Sequence, residues 1–257
     1  MKLWVTIYNE LFMGKLKGII QLTGKFDGLS FYEMNGKIIV RKTGGFDGEK
    51  IKNDTNYVRV RENSREFAHC AEMGKYFRNS LQPYLKRLRI PYVHNRILGL
   101  FQEISRLDKD SVRGKRSVTK GLQSVEAKGV ITGFEFDKNQ SFDAVFPFEY
   151  AVDMLDGNLI VSKFSSRLLK KVSGATHANL CFLVVGLDFE HPNSFVQNSS
   201  DLLTLSLKET TETDLEFSCA LPESPTVFGL LYLEFFQRIN TVDYDLQAGG
   251  LKIVGFR

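Results

Sequence analysis

The chain has 257 residues, 43% hydrophobic and 25% charged, with a formal net charge of +4. That is enough apolar material for a core, so general disorder is excluded, and the length suits one large or two modest domains. The three cysteines, Cys70, Cys181 and Cys219, lie far apart and outside any CxxC or Cys/His cluster. This argues against a disulfide framework or a cysteine zinc site and makes a reducing cytoplasm the expected compartment.

The opening "MKLWVTIYNELF" carries Glu10 inside its apolar stretch and lacks a small-residue cleavage site, which makes a poor signal peptide. No run approaches the ~18 uncharged apolar residues of a membrane helix, so no membrane partner is expected. From about 17 to 43 come three short strand-like runs, "KGIIQLTGK", "LSFYEM" and "KIIVRKT", separated by Asp27-Gly28 and Asn35-Gly36. Asn-Gly between strands is a strong type I′ hairpin signal, and the segment reads as a β-meander that the chain leaves at Gly44-Gly45.

A helix is expected next. Asn63 followed by Glu66 resembles a capping box, and apolar residues recur from Phe67 to Leu88, with a kink or restart at Pro83. A second amphipathic helix follows Pro91, with Ile97, Leu98, Phe101, Ile104 and Leu107 on one side. "KDSVRGKRSVTKG" reads as a basic loop with a short helical turn.

From about residue 130 the period becomes that of strands: "GVITGFEF", "FEYAVDM", "NLIVSKF", "NLCFLVVGLDF", "DLLTLSL", "LEFSCAL", "TVFGLLYLEFFQRI" and "GLKIVGF". Seven or eight strands in that length argue for a β-sandwich of immunoglobulin-like architecture. The expected fold class is thus α+β: an N-terminal β-meander with two amphipathic helices, then an all-β immunoglobulin-like sandwich. The expected division is a basic region over 13–129 and an acidic sandwich over 130–257.

Charge follows a similar division. Residues 1–140 hold 26 Lys/Arg against 15 Asp/Glu, a net of +11, and residues 141–257 hold 8 against 15, a net of −7. Such asymmetry speaks about partners rather than fold. Either the basic half meets a polyanion, or it meets the acidic half of another copy.

Catalytic signatures are not found. The four histidines are never at metal-ligand spacing, and no GxSxG, HExxH, Walker A or GxGxxG occurs. The glycine pairs at 44–45 and 249–250 read as turn glycines. The acidic run "KETTETDLEF" lacks the spacing and glycine of a calcium loop and reads as a solvated inter-strand loop. No catalytic residue, cofactor, metal or small-molecule substrate is expected, and the protein reads as non-enzymatic.

The basic positions carry more information. "YVRVRENSR" interleaves Arg59 and Arg61 with Tyr57, Val58 and Val60; Arg41 ends the hairpin; and Arg113, Lys115 and Arg116 share one loop. With Phe31 and Tyr32 they form the candidate interaction surface.

"MGKLKGIIQLTGKFDGLSFYEMNGKIIVRKTGG", "RVRENSREFAHCAEMGKYFR", "GFEF", "GATH" and "EFFQRINTVDYDLQAGGLKIV", in that order and spacing, resemble an uncharacterised protein family common in Bacteroidota. The resemblance runs from Met13 to the C-terminus and implies no activity. It makes residues 1–12 read as an N-terminal extension, with translation expected to initiate at Met13.

Short meanders need a covering surface, and exposed strand edges accept strands from other chains. Together with halves of opposite charge, this leads to the expectation of a structural protein that self-assembles head to tail into a filament, tube or tail-like particle, a homo-oligomer. The alternative is a nucleic-acid-binding or protein-interaction module working through the basic N-terminal half.

Overall fold

Asp27-Gly28 and Asn35-Gly36 reverse the chain with both residues of each pair at positive φ, the conformation that a two-residue type I′ turn demands. The computed structural model describes residues 13–15, 23–43 and 48–257, and the chain divides into two compact units, Met1–Val60 and Arg61–Arg257. Residues 1–12, most of the run from 17 to 25 and the Gly44-Gly45 pair lie outside the described residues.

In the first unit, β1 (Met13–Lys15), β2 (Gly24–Phe26), β3 (Leu29–Met34) and β4 (Lys37–Lys42) form one antiparallel sheet in the order β1-β4-β3-β2. Among its described residues Ile39 is buried, while Phe26, Leu29 and Met34 are exposed. A short helix, α1 (Gly48–Asn53), and a 3₁₀ turn at Thr55–Tyr57 follow; the Asp54 side chain caps the turn by accepting from the Asn56 N–H at 2.8 Å.

The long helix α2 (Val58–Ser80) begins upstream of the Asn63–Glu66 pair read as its capping box. Those two side chains sit inside the helix and reach another segment: Glu66 accepts from the Gly114 N–H at 2.6 Å, and Asn63 Oδ1 accepts from Arg113 at 3.0 Å. The helix breaks at Leu81 and restarts as α3 (Gln82–Leu88), with Pro83 in the first turn where its missing N–H costs nothing. Arg89 and Tyr92, both left-handed, carry the chain past Pro91 into α4 (Val93–Arg106). Two short helices follow, α5 (Val118–Leu122) and α6 (Ala127–Ile131). The segment "GVITGFEF", expected as a strand, is therefore part helix. Its remainder lies along a sheet edge, with Glu135 bridged to Lys252.

A short turn of helix, α7 (Phe142–Val145), precedes the strands of the second unit. These are β5 (Tyr150–Asp153), β6 (Asn158–Phe164), β7 (His177–Leu187), β8 (Phe195–Ser199), β9 (Leu203–Ser206), β10 (Thr213–Ser218), β11 (Thr226–Ile239) and β12 (Val242–Phe256). They form two antiparallel sheets. A central one has the order β12-β11-β7-β8 with β9 also paired to β7, and a small one has the order β10-β6-β5.

The central sheet is apolar on both faces, which is why β7 and β11 read as continuous hydrophobic runs. Cys181, Leu183, Val185, Phe228, Leu230, Tyr232, Leu251 and Ile253 pack with Cys70, Phe77, Phe101 and Ile104 of the helices. Leu180, Phe182, Val184, Leu231, Leu233 and Phe235 point the other way, onto Leu159, Val161 and Phe217 of the small sheet. The fold is α+β. The two sheets pack face to face, and the helices form a third layer on the other side of the central sheet.

The Gly249-Gly250 pair is not a turn. It lies within β12, paired with Leu233 and Glu234 just beyond a register shift against β11, and Gly249 has φ 145°. A Cβ there would stand 2.0 Å from the Leu233 carbonyl oxygen, so only glycine fits this close approach of two backbones.

Candidate functional site

The two covers of the central sheet differ in charge. The segment 61–131, which supplies α2 to α6, holds 15 Lys/Arg and 7 Asp/Glu; the segment 132–257 holds 9 and 17. The first therefore carries a net of +8 and the second −8. On the helical side Arg65, Lys75, Lys86, Arg89, Arg106, Lys109, Lys115, Lys120 and Lys128 are exposed. On the small sheet Asp153, Asp214 and Glu216 are exposed beside Lys163, and the flanking loops expose Glu149, Asp156, Glu209 and Glu212 together with Arg167, Lys170, Lys171 and Lys208.

The central sheet offers each cover a charge of the opposite sign. Glu234 on β11, 4% exposed, accepts both guanidinium arms of Arg87 on α3, at 2.5 and 2.9 Å, the Asn179 amide at 2.7 Å, and the Tyr232 hydroxyl. Thr204 in turn donates to Asn179 at 2.8 Å. The bond from Glu234 raises the pKa of Arg87 further, and burial followed by the same carboxylate raises that of Tyr232. Burial, reinforced by the charge of Glu234, pushes the Cys181 thiol up to about 12, so it behaves as an inert apolar group. On the other face Lys252 of β12, 7% exposed, holds both carboxylate oxygens of Asp143 at 2.5 and 2.7 Å.

A cleft of about 670 Å³ opens in the helical layer between α2, α4 and the loop 107–117. Asn63, Ser64, Glu66, Gln102, Ser105, Arg106, Arg113 and Arg116 supply its polar lining, and Phe67 and Cys70 its apolar part. The loop is organised by Asp108, which is 3% exposed and accepts from the N–H groups of Asp110, Ser111 and Ser117 at 3.2, 2.9 and 3.0 Å. Burial pushes the Asp108 carboxyl up, but the hydrogen bonds from Ser117 and Ser111, together with Lys120, outweigh it and hold its pKa below the usual value. The far end of the loop is held by His69, whose Nε2 accepts from the Val118 N–H at 3.0 Å. Burial lowers the His69 pKa against the opposing pull of Glu72.

Of the residues singled out in the sequence, Arg113 and Arg116 meet in this cleft, while Lys115 between them is exposed and is not part of its lining. Tyr32 and Arg41 also come together, with the guanidinium 5.5 Å from the ring centre. Phe31 is half-buried in β3. Arg59 and Arg61 do not form one stripe: their segment is helical, and residues two apart on a helix point about 200° apart. Arg106, Gln102, Asn63 and Glu234 were missed. A basic residue at a helix end and polar residues one turn apart carry no signal until two helices are brought side by side.

Compared with known proteins, the chain matches no family model, no curated protein and no solved structure. Among the described residues no helix is long and apolar enough to cross a membrane, and no group of three or more His, Cys, Asp or Glu is placed to hold a metal ion.

Proposed function

We propose that this is a non-enzymatic structural protein whose copies associate head to tail, the basic helical cover of one against the acidic small sheet of the next. The observation that carries the reading is that, within one compact unit, the segment forming the helical cover bears +8 and the segment forming the central and small sheets bears −8. Among the described residues, the ion pair between those two segments is Arg87–Glu234. Arg65, Lys75 and Lys86 on the helical cover and Asp153, Asp214 and Glu216 on the small sheet are exposed, and complementary patches on opposite sides of one body favour heterologous contacts that propagate.

Charge sets orientation; apolar area must add affinity. The end of the β11–β12 hairpin is suited to that. Beyond the pairing of Phe236 with His177, β7 no longer accompanies it, and Ile239, Val242 and Tyr244 are exposed around a turn at Asn240-Thr241. The immunoglobulin-like and meander readings of the sheets enter only as scaffolds for these surfaces.

Two charge-reversed variants test the proposal. One carries R65E, K75E and K86E on the helical cover, and the other D153K, D214K and E216K on the small sheet. Each alone should stay monomeric by light scattering at low salt, and an equimolar mixture should associate. A mixture that stays monomeric while the wild type associates would rule out these two faces as the contact. Wild-type binding to DNA or RNA with no self-association would instead favour the nucleic-acid reading of the basic cover.

A further inference from the structure

We infer that the cleft between α2, α4 and the loop 107–117 is a binding site for a small organic phosphate. Three guanidinium groups, Arg106, Arg113 and Arg116, line one opening of about 670 Å³, a volume suited to a metabolite rather than to a lone ion. Their planar donor forks match phosphate oxygens in pairs. Arg116 adds the more telling observation: its Nε is buried and has no hydrogen-bond acceptor in the described structure. A buried donor without an acceptor is costly, and an anion's oxygen is the partner that would satisfy it.

Arg113 is already engaged. Its Nε lies 3.5 Å from Glu62 Oε2, and its Nη2 donates to Asn63. Two carboxylates oppose an incoming anion: Glu66, which lines the cleft and accepts from the Gly114 N–H, and Glu62 behind Arg113, whose Oε2 is buried without a hydrogen-bonded partner. Beside the guanidinium groups, Phe67 presents a ring that is 51% exposed, unusual for a phenylalanine. A flat ring carried by the phosphate would lie against it. The site therefore combines a phosphate end and a ring end, as a nucleoside monophosphate does.

Isothermal titration tests this with pyrophosphate, ribose 5-phosphate and AMP as probes, at a salt concentration where the protein is monomeric. The wild type should bind pyrophosphate, and should bind AMP more tightly than ribose 5-phosphate. R116Q should weaken all three about tenfold, the factor implied by losing one charge-assisted hydrogen bond. R106Q, at an exposed position, gives the same readout if R116Q fails to fold. E62Q should tighten binding several-fold, which a merely structural role for this loop would not produce. F67A should remove the preference for AMP. No binding by folded wild type, or binding that neither arginine variant weakens, would overturn the site. Equal affinity for AMP and ribose 5-phosphate would overturn the role given to Phe67.

Discussion

The helical cover and the small-sheet cover lie on opposite faces of one central sheet, yet they are fastened differently. Under the helices, buried Glu234 accepts from Arg87, whose side chain is 54% exposed, and from buried Asn179 and Tyr232. Under the small sheet, Lys252 reaches Asp143, a residue whose side chain is 60% exposed. Both pairs join a buried charge to an exposed partner, so the difference lies in the buried Asn179 amide and Tyr232 hydroxyl, which also depend on Glu234. The contrast teaches that the helical layer depends on one polar network, while the small sheet depends mainly on packing around Phe182, Leu231 and Phe217.

The largest expected effect breaks that contrast directly. Glu234→Ala should cost about 2–4 kcal/mol in urea unfolding, because the buried Asn179 amide and Tyr232 hydroxyl both lose their acceptor. Lys252→Met should cost about 1 kcal/mol or less. Equal losses would show that the two fastenings do not differ.

Gly121→Ala probes the packing of the helical layer. A Cβ on α5 at this position would sit 2.0 Å from the Ile104 carbonyl oxygen of α4, so the helices must part, at a cost of about 1–3 kcal/mol in thermal unfolding.

Acid should loosen the cleft loop before the rest of the unit. The His69 pKa is lower in the fold than its usual value, so its contribution is complete above about pH 6.5 and is lost as the pH falls through the folded value. Asp108 is also held low, so its contribution is present above about pH 4 and is lost below that. Hydrogen exchange should show the N–H of Val118 opening first and those of Ser111 and Ser117 at lower pH. Simultaneous opening with Phe182 and Leu231 would contradict independent loosening of the loop.

The smallest effect belongs to the first unit. Arg41→Ala removes a cation–π contact with Tyr32 at an exposed site and should cost about 0.5 kcal/mol. A loss several times larger would mean that Arg41 does more than cover a ring.

Local chemistry made some of this molecule legible in its sequence. Asn35-Gly36 announced its turn because two consecutive positive φ values favour those residues, and the run from Thr226 to Ile239 coincides with β11 because a strand buried on both faces has no polar alternation. "YVRVRENSR" was less legible. It interleaves basic with apolar side chains, but nearly all of it lies in α2, where the helical period turns residues two apart to different sides. The third layer was hidden as well, since a strand pattern says that both faces are buried without saying what covers them. Of the cleft, Arg113 and Arg116 could be read from their loop. Arg106 and Gln102 belong to it only because α4 lies beside α2.

The account rests on opposite charges carried by the two covers being satisfied between copies. Sedimentation velocity of the full chain across a salt series tests this most directly. The account predicts species heavier than the 29.3 kDa monomer at low ionic strength, growing with concentration and dissolving toward monomer as salt screens the faces. A single monomeric boundary at every concentration and salt would contradict it.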